Sequence, residues 1–277
     1  MSVVNTTVNP CNNSPVFTTL PTPIVFIPGI AGSVLTIQTS PPYQVWPTVL
    51  PFDINALSLR PNLGWDIRAV DVVRSFATKH FYDNFINHLA PGTGGKYKEF
   101  KLEGDPTRLT SSYMVDYAQT NPTETTPTLF PFPYDWRRSN ASHVEALHQY
   151  IERIQELHGG AKVNVVAHSM GGLLLRRYLL EKGAGRVDKV VTIASPFWGA
   201  PMAVYRMATG NFFDPPIEGY DFSPIDAVNR AAMKKTLVTL PGAHELLPSD
   251  AYLQNAGISV LSEDGWDLDG NGGTGES

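Results

Sequence analysis

Short apolar runs alternate with longer amphipathic stretches along this chain. IVFI (24–27) is four apolar residues in a row, cut off by Pro28-Gly29. Such a run reads as a buried strand ended by a turn. TLFPFPYDWRRS (128–139) opens as a short strand and closes in a proline-rich turn. SHVEALHQYIERIQELHGG (142–160) carries the helical period, with Ser142 as N-cap, Glu145 at N3 and Gly159-Gly160 as the stop. KVNVVAH (162–168) is a second strand, MGGLLLRRYLLEKG (170–183) a helix and DKVVTIAS (188–195) a third strand. This succession predicts βαβ units, hence an α/β fold with a mostly parallel sheet and helices on both faces.

The remaining segments are less regular. Residues 1–23 are polar and read as an extended lead-in. The proline-dense stretch 36–62 has no helical period and is expected to loop over the strand ends. Within 72–90, Phe81, Phe85 and Leu89 recur every four residues and predict a helical portion. AGISVL (256–261) is a weak strand pattern, and no internal repeat is visible.

Composition narrows the function classes. The 21 Lys+Arg against 26 Asp+Glu give a net charge of -5, which argues against a nucleic-acid binder. Cys11 is the only cysteine, so no intramolecular disulfide and no multi-cysteine zinc site is expected. No apolar run is long enough for a spanning helix, and MSVVNTTVNPCNNSP lacks a signal-peptide pattern; the compartment stays open. DLDGNG (267–272) matches half of a calcium loop through Asp267, Asp269, Asn271 and Gly272 but reads as a polar turn. PGTGGK (91–96) lacks P-loop spacing, and the sequons at Asn5 and Asn140 carry no information without a secretory signal. No cofactor or metal is called for.

The chemistry centres on NVVAHSMGGLLLRRYLL (164–180). Ser169 stands where a buried strand turns into a helix, with Ala167 two before it and Gly171 two after. That is the G-x-S-x-G nucleophile elbow with alanine in the first small position. Strand and helix pass so close there that a large side chain at either flank would clash. The N-terminus of the following helix favours negative charge, and the Met170 N–H is one oxyanion donor. The alternative is a serine that merely caps the helix. VFIPGIAGS (25–33) supplies a glycine-rich loop after an early strand, and Ile30 N–H is the second donor.

PGIAGSVL (28–35), PYDWR (133–137), VAHSMGG (166–172), ASPFWGAP (194–201) and ELLPS (245–249) occur in an order and spacing that resembles the lecithin:cholesterol acyltransferase family, its bacterial branch in particular. The resemblance covers about residues 24–250. It implies an α/β-hydrolase fold with a loop-rich lid and a serine acyl-enzyme. Acyl groups from phospholipid or another ester would pass to water or an alcohol. It places Ile30 and Met170 on the oxyanion positions and Trp46 on a lid tryptophan beside the acyl pocket, with no cysteine pair to close that lid. The implied organisation is a lead-in over 1–23 and a hydrolase domain over 24–277, with lid or cap segments near 36–70 and 200–240. Exposed Trp46 and Phe52 would contact a lipid surface peripherally. Asp135, Trp136 and Arg137 have a physical reading as scaffold: Asp135 and Arg137 pair, and Trp136 packs beneath.

A serine nucleophile needs a base and an orienting acid. Only His244 follows Ser169, in TLPGAHELLPSD. One reading makes His244 the base, with Asp214, Asp221 or Asp226 as acid. The other expects a chain truncated before its last strands, with acid and base missing and only lipid or acyl-chain binding left. His80, His88, His143, His148 and His158 precede the nucleophile in helix-like stretches and read as surface or half-buried helical histidines; His168, which a strand's alternation turns away from Ser169, reads as structural.

Overall fold

The computed structural model describes residues 4–8, 15–48, 50–59, 65–76, 79–90, 96–100, 126–212 and 226–256. The weak strand pattern at 256–261, all but its first residue, and the calcium-like turn lie outside them, as do Asp214, Asp221 and most of PGTGGK.

In chain order, β1 (Val4–Val8) and β2 (Pro15–Thr19) pair antiparallel with each other, giving the lead-in a regular structure. β3 (Ile24–Ile27) follows, then β4 (Ser33–Ile37), β5 (Tyr43–Trp46), α1 (Pro51–Ala56) and β6 (Ile67–Val72). A two-residue pair, β7 (Ser75–Phe76) and β8 (Lys79–His80), leads into α2 (Asp83–Leu89). After β9 (Leu129–Pro131) come a 3-10 turn (Asn140–His143), α3 (Val144–Leu157), β10 (Val163–His168), α4 (Met170–Lys182) and β11 (Val187–Ile193). Four helices follow among the described residues: α5 (Pro201–Thr209), α6 (Asp226–Leu237), α7 (Pro241–His244) and α8 (Asp250–Asn255).

The central sheet is parallel, in the order β11-β10-β3-β9. Alternation along β3 makes two cores from one strand. Val25 and Ile27 enter the large core with Leu147, Ile151, Leu174 and Leu175 of α3 and α4. Ile24 and Phe26 point the other way, against Tyr82, Phe85 and Ile86. Helices thus cover both faces, as the sequence predicts. β11 is one of the two edge strands of this sheet among the described residues, and its Val190, Val191 and Ile193 are exposed.

Three local expectations are corrected. The stretch 36–62 is not a loop: β4 pairs antiparallel with both β5 and β6, followed by α1. Leu35, Ile37, Val45 and Trp46 are buried, and Asp53 accepts from Tyr43 Oη (2.9 Å) and Thr48 Oγ1 (2.7 Å), which fastens α1 to the sheet. Thr236 Oγ1 of α6 donates to Ile54 O (3.0 Å) of α1. Second, the helical portion of 72–90 is only Asp83–Leu89. The N–H groups of Phe81, Tyr82 and Asp83 all converge on Arg74 O, so the chain turns there instead of continuing a helix upstream. Third, Ser142 is not the cap of α3. Ser139 Oγ accepts from Ala141 N–H (3.3 Å) at the start of the 3-10 turn, and Ser142 Oγ donates to Ser139 O (2.6 Å). Glu145 reaches Lys182 (2.6 Å) and Gln149 (3.0 Å) rather than the helix start.

Candidate active site

The chain runs from β3 to β9 on one side, then crosses to β10 and β11 on the other. The order of strands therefore reverses between β3 and β10. In an open parallel sheet the crevice at the carboxyl ends of two such strands is where ligands bind. Ser169 follows β10 at that crevice, and Pro28–Gly32 follows β3.

Ser169 holds φ 51° and ψ −124°, with no side-chain bond capping α4, so the plain capping role is not adopted. Its N–H donates to Ile193 O (2.8 Å) and its carbonyl accepts from Gly172 N–H (3.0 Å). Ala31 (φ 59°) and Ala194 (φ 49°) are the other two non-glycine residues with positive φ among those described. The three follow β3, β10 and β11, side by side, at the same end of the sheet. Such conformations cost on the order of 1 kcal/mol each and persist where the surroundings over-determine them.

The small residues explain themselves by contact. A Cβ on Gly171 would stand 2.5 Å from Pro28 O and 2.6 Å from Ile27 O. A Cβ on Gly29 would stand 2.8 Å from Ser169 Cβ and 3.3 Å from Ser169 Oγ. Ala167 is fully buried. The elbow and the loop after β3 are therefore in direct backbone contact.

That loop is tied on every side. Tyr134 Oη donates to Pro28 O (3.1 Å) and Trp46 Nε1 to Ala31 O (2.8 Å). Gly29 N–H donates to Tyr82 Oη (2.9 Å), and Gly32 N–H to Gly29 O (3.0 Å). Trp136 Nε1 donates to Ser33 O (3.2 Å), and Ser33 Oγ accepts from Tyr134 N–H (3.0 Å). Two residues of PYDWR thus grip the loop directly. Beneath them, Arg137 Nε and Nη2 donate to the two oxygens of Asp135, each at 2.7 Å, both side chains almost fully buried. Arg137 Nη1 also donates to Leu57 O (3.3 Å). Glu245 of ELLPS accepts from the Asn140 N–H (3.1 Å) and side-chain amide (2.5 Å), and Gly242 N–H donates to Arg137 O (3.1 Å), so the segment around ELLPS packs on the PYDWR turn. Asn140 is buried.

Ser169 and Ile30 line one cavity of about 190 Å³. Its remaining wall is almost wholly apolar, including Met202, Met207 and Phe212, with Arg206 the one charged side chain, lying 5.4 Å from the Phe212 ring. Ala200, Ala203 and Leu237 also line it, so much of the wall comes from residues 200–240. Trp46 is not the exposed lid residue the sequence suggested: it is 3% exposed and packs edge-to-face on Phe212 (5.5 Å) and Trp136 (5.4 Å), one layer behind the cavity. Its flat indole fills the gap between the antiparallel sheet and the PYDWR turn. Phe52 is 63% exposed.

No histidine lines this cavity among the described residues. His244 ends α7, exposed, with Nε2 3.2 Å from Val238 O; its neighbours Ala243 and Leu246 reach the cavity, but it does not. His168 sits beside the elbow with Nδ1 2.9 Å from Tyr82 Oη. Burial lowers its pKa, so the ring is neutral at neutral pH. His143 (Nε2 to Asp135 O, 2.9 Å) and His158 (Nε2 to Pro127 O, 2.8 Å) are likewise held below the ordinary value by burial. Tyr82 lies in no sequence motif, and the wall residues Met202, Met207 and Phe212 carry no local signal beyond their place in the 200–240 segment; their proximity in the fold reveals them.

A parallel sheet covered on both faces, with a strained serine between strand and helix at the switch point, defines an α/β-hydrolase fold. The family model described as lecithin:cholesterol acyltransferase matches residues 102–258, more than half of the chain, and the chain belongs to that family. It is 34% identical over 131 residues to Phospholipase A(1) LCAT3 of Arabidopsis thaliana, 45% of this chain and 28% of that protein. It is 32% identical over 130 residues to Lecithin-cholesterol acyltransferase-like 4 of the same plant, 43% of this chain and 23% of that protein. The chain spans about a quarter of the length of these curated relatives. A solved Tle4-Tli4 complex is similar over 90% of this chain and 60% of the matched chain, at 17% identity and a TM-score of 0.49. Among the described residues no helix is long and apolar enough to cross a membrane.

Proposed function

We propose that the protein hydrolyses or transfers the acyl group of a lipid ester through an acyl-enzyme on Ser169. The observation that carries this is the strained serine opening, together with Ile30, into an apolar cavity at the switch point of the sheet. Family membership, and relatives named as a phospholipase A(1) and an acyltransferase-like protein, support the same substrate class.

In this reading Ser169 Oγ attacks the ester carbonyl carbon and its proton passes to a base. The carbonyl oxygen becomes an oxyanion, held by the N–H groups of Ile30 and Met170. The Met170 N–H lies in the first turn of α4, where no intrahelical acceptor exists. Collapse of the intermediate breaks the bond to the leaving oxygen, which takes up the proton; water or an alcohol then removes the acyl group by the reverse steps. The apolar wall suits an acyl chain. No histidine lines the cavity among the described residues, so the reading assigns the base to none of them.

That last point favours a second reading, an acyl-chain binder without turnover. Hydrolysis of short- and long-chain p-nitrophenyl esters and of phospholipid vesicles, wild type beside Ser169→Ala, separates the two. Turnover lost in Ser169→Ala supports the enzyme. Saturable fatty-acid binding with no Ser169-dependent turnover supports the binder.

A further inference from the structure

We propose that Tyr82 is a positioning residue for acyl transfer at this site, holding the loop that carries the Ile30 N–H in fixed register with the elbow. The inference deepens the reading of Ser169 as nucleophile and rests on it.

Tyr82 stands at the N-terminal boundary of α2, on the sheet face opposite the large core. Its ring packs edge-to-face on Phe26 (4.9 Å) and on the His168 imidazole (5.6 Å). Its hydroxyl accepts from Gly29 N–H and meets His168 Nδ1, each at 2.9 Å. Among the side chains that hold the loop, Tyr82 alone bonds both Gly29 and the residue preceding Ser169. It is therefore a strut that links the main chain of the loop that carries the Ile30 N–H to the side chain of the residue that precedes Ser169.

The Tyr82 hydroxyl accepts from Gly29 N–H and keeps its one proton to give, and the proposal assigns that proton to His168 Nδ1, which puts the ring's own proton on Nε2. Burial pushes the Tyr82 pKa up to about 12 and lowers that of His168, which keeps the phenol protonated and the imidazole neutral.

The geometry then sets one direction. Gly29 O is turned toward Gly32 N–H (3.0 Å). In a trans peptide the N–H opposes the C=O, so the Ile30 N–H points away from that turn. The preceding peptide is fixed through Gly29 N–H by Tyr82. With both peptides around Gly29 held, the donor is set before substrate arrives. Gly29 and Gly32 allow no side chain here: their Cβ atoms would fall 2.8 Å from Ser169 Cβ and 2.9 Å from Tyr82 Oη. A donor displaced by about 1 Å costs on the order of a hundredfold in rate.

The test is Tyr82→Phe, which keeps the ring and removes only the strut. Ester hydrolysis is measured beside wild type and Ser169→Ala, with active sites counted by fluorophosphonate titration. Backbone amide exchange is followed over 28–33. The expected result is kcat per titrated site lowered about tenfold to a hundredfold with KM within about twofold, and faster exchange at Gly29. A merely structural role would lower the titrated fraction and leave kcat per site unchanged; that result, with Ser169-dependent turnover intact, overturns this proposal alone. Absence of Ser169-dependent turnover in wild type overturns the functional reading and this proposal with it. Imidazole nitrogen NMR on the wild type is independent of activity and of whether the variant folds. His168 protonated at Nε2 supports the strut, and protonation at Nδ1 overturns it.

Discussion

Replacing Gly171 by alanine sets two effects against each other, and the structure says which wins. Gly171 lies in the first turn of α4, where alanine is intrinsically favoured over glycine by about 1 kcal/mol. The new methyl would, however, stand 2.5 Å from Pro28 O and 2.6 Å from Ile27 O. Both are main-chain atoms, one at the end of β3 and one in the loop after it, and neither can rotate aside. Relieving the overlap to an ordinary C···O contact needs a shift of about 0.8 Å between helix and loop. Overpacking of this kind costs about 1–3 kcal/mol, so the variant is expected to be less stable despite its better helix propensity. The shift also separates Ile30 from the elbow, and we predict an acylation rate lowered tenfold to a hundredfold. Urea unfolding gives the first quantity and the rate of fluorophosphonate labelling the second. A Gly171→Ala protein that unfolds within about 0.5 kcal/mol of wild type and labels at the wild-type rate would refute the close-contact account of the elbow.

Three further outcomes concern ionisable groups. Arg137→Ala removes the partner of Asp135 in a pair that is 3% and 10% exposed at its side chains, and leaves a carboxylate stranded. Breaking such a pair costs about 3–5 kcal/mol, with the lower end expected because Arg138 Nε also reaches Asp135 (3.1 Å). Arg138→Ala, at a 58% exposed side chain, should cost under about 1 kcal/mol by the same unfolding assay. Burial holds His143, His158 and His168 below the ordinary imidazole value of 6.5. The unfolded chain then binds protons that the folded one does not. Their contribution is complete above 6.5 and is lost as pH falls through it toward the depressed folded values. Urea midpoints should drop between about pH 7.5 and about pH 5.5, and a flat or rising profile would contradict the burial.

The βαβ units were legible because each strand is a compact apolar run and each helix keeps its period, and the tight strand-to-helix turn at Ser169 because backbone crowding demands small residues at fixed offsets from it. The segment 33–72 was not. β6 buries one face only, with Ile67 and Ala69 buried and Arg68 and Val70 not, whereas the central β4 is buried at four of its five positions, polar Ser33 and Thr36 among them. Prolines at the turns masked that alternation. Trp46 looked like an exposed lid residue because its pairing with Ala31 O depends on β4 and β5, which the sequence did not reveal. Ser142 was read as the α3 cap because the 3-10 turn that precedes the helix has no sequence signal of its own; Ser139 caps that turn, and α3 starts after His143 with no side-chain cap. Tyr82 carries no local signal at all; its role arises from contacts across 53 and 86 residues of sequence.

The central claim is that Ser169 is an activated nucleophile facing an acyl-sized cavity. Intact-mass analysis after fluorophosphonate treatment, wild type beside Ser169→Ala, tests it most directly. The account predicts one adduct per folded chain, mapped to Ser169 and absent in the variant. A folded wild type that takes up no adduct, or labelling that survives Ser169→Ala, would contradict it.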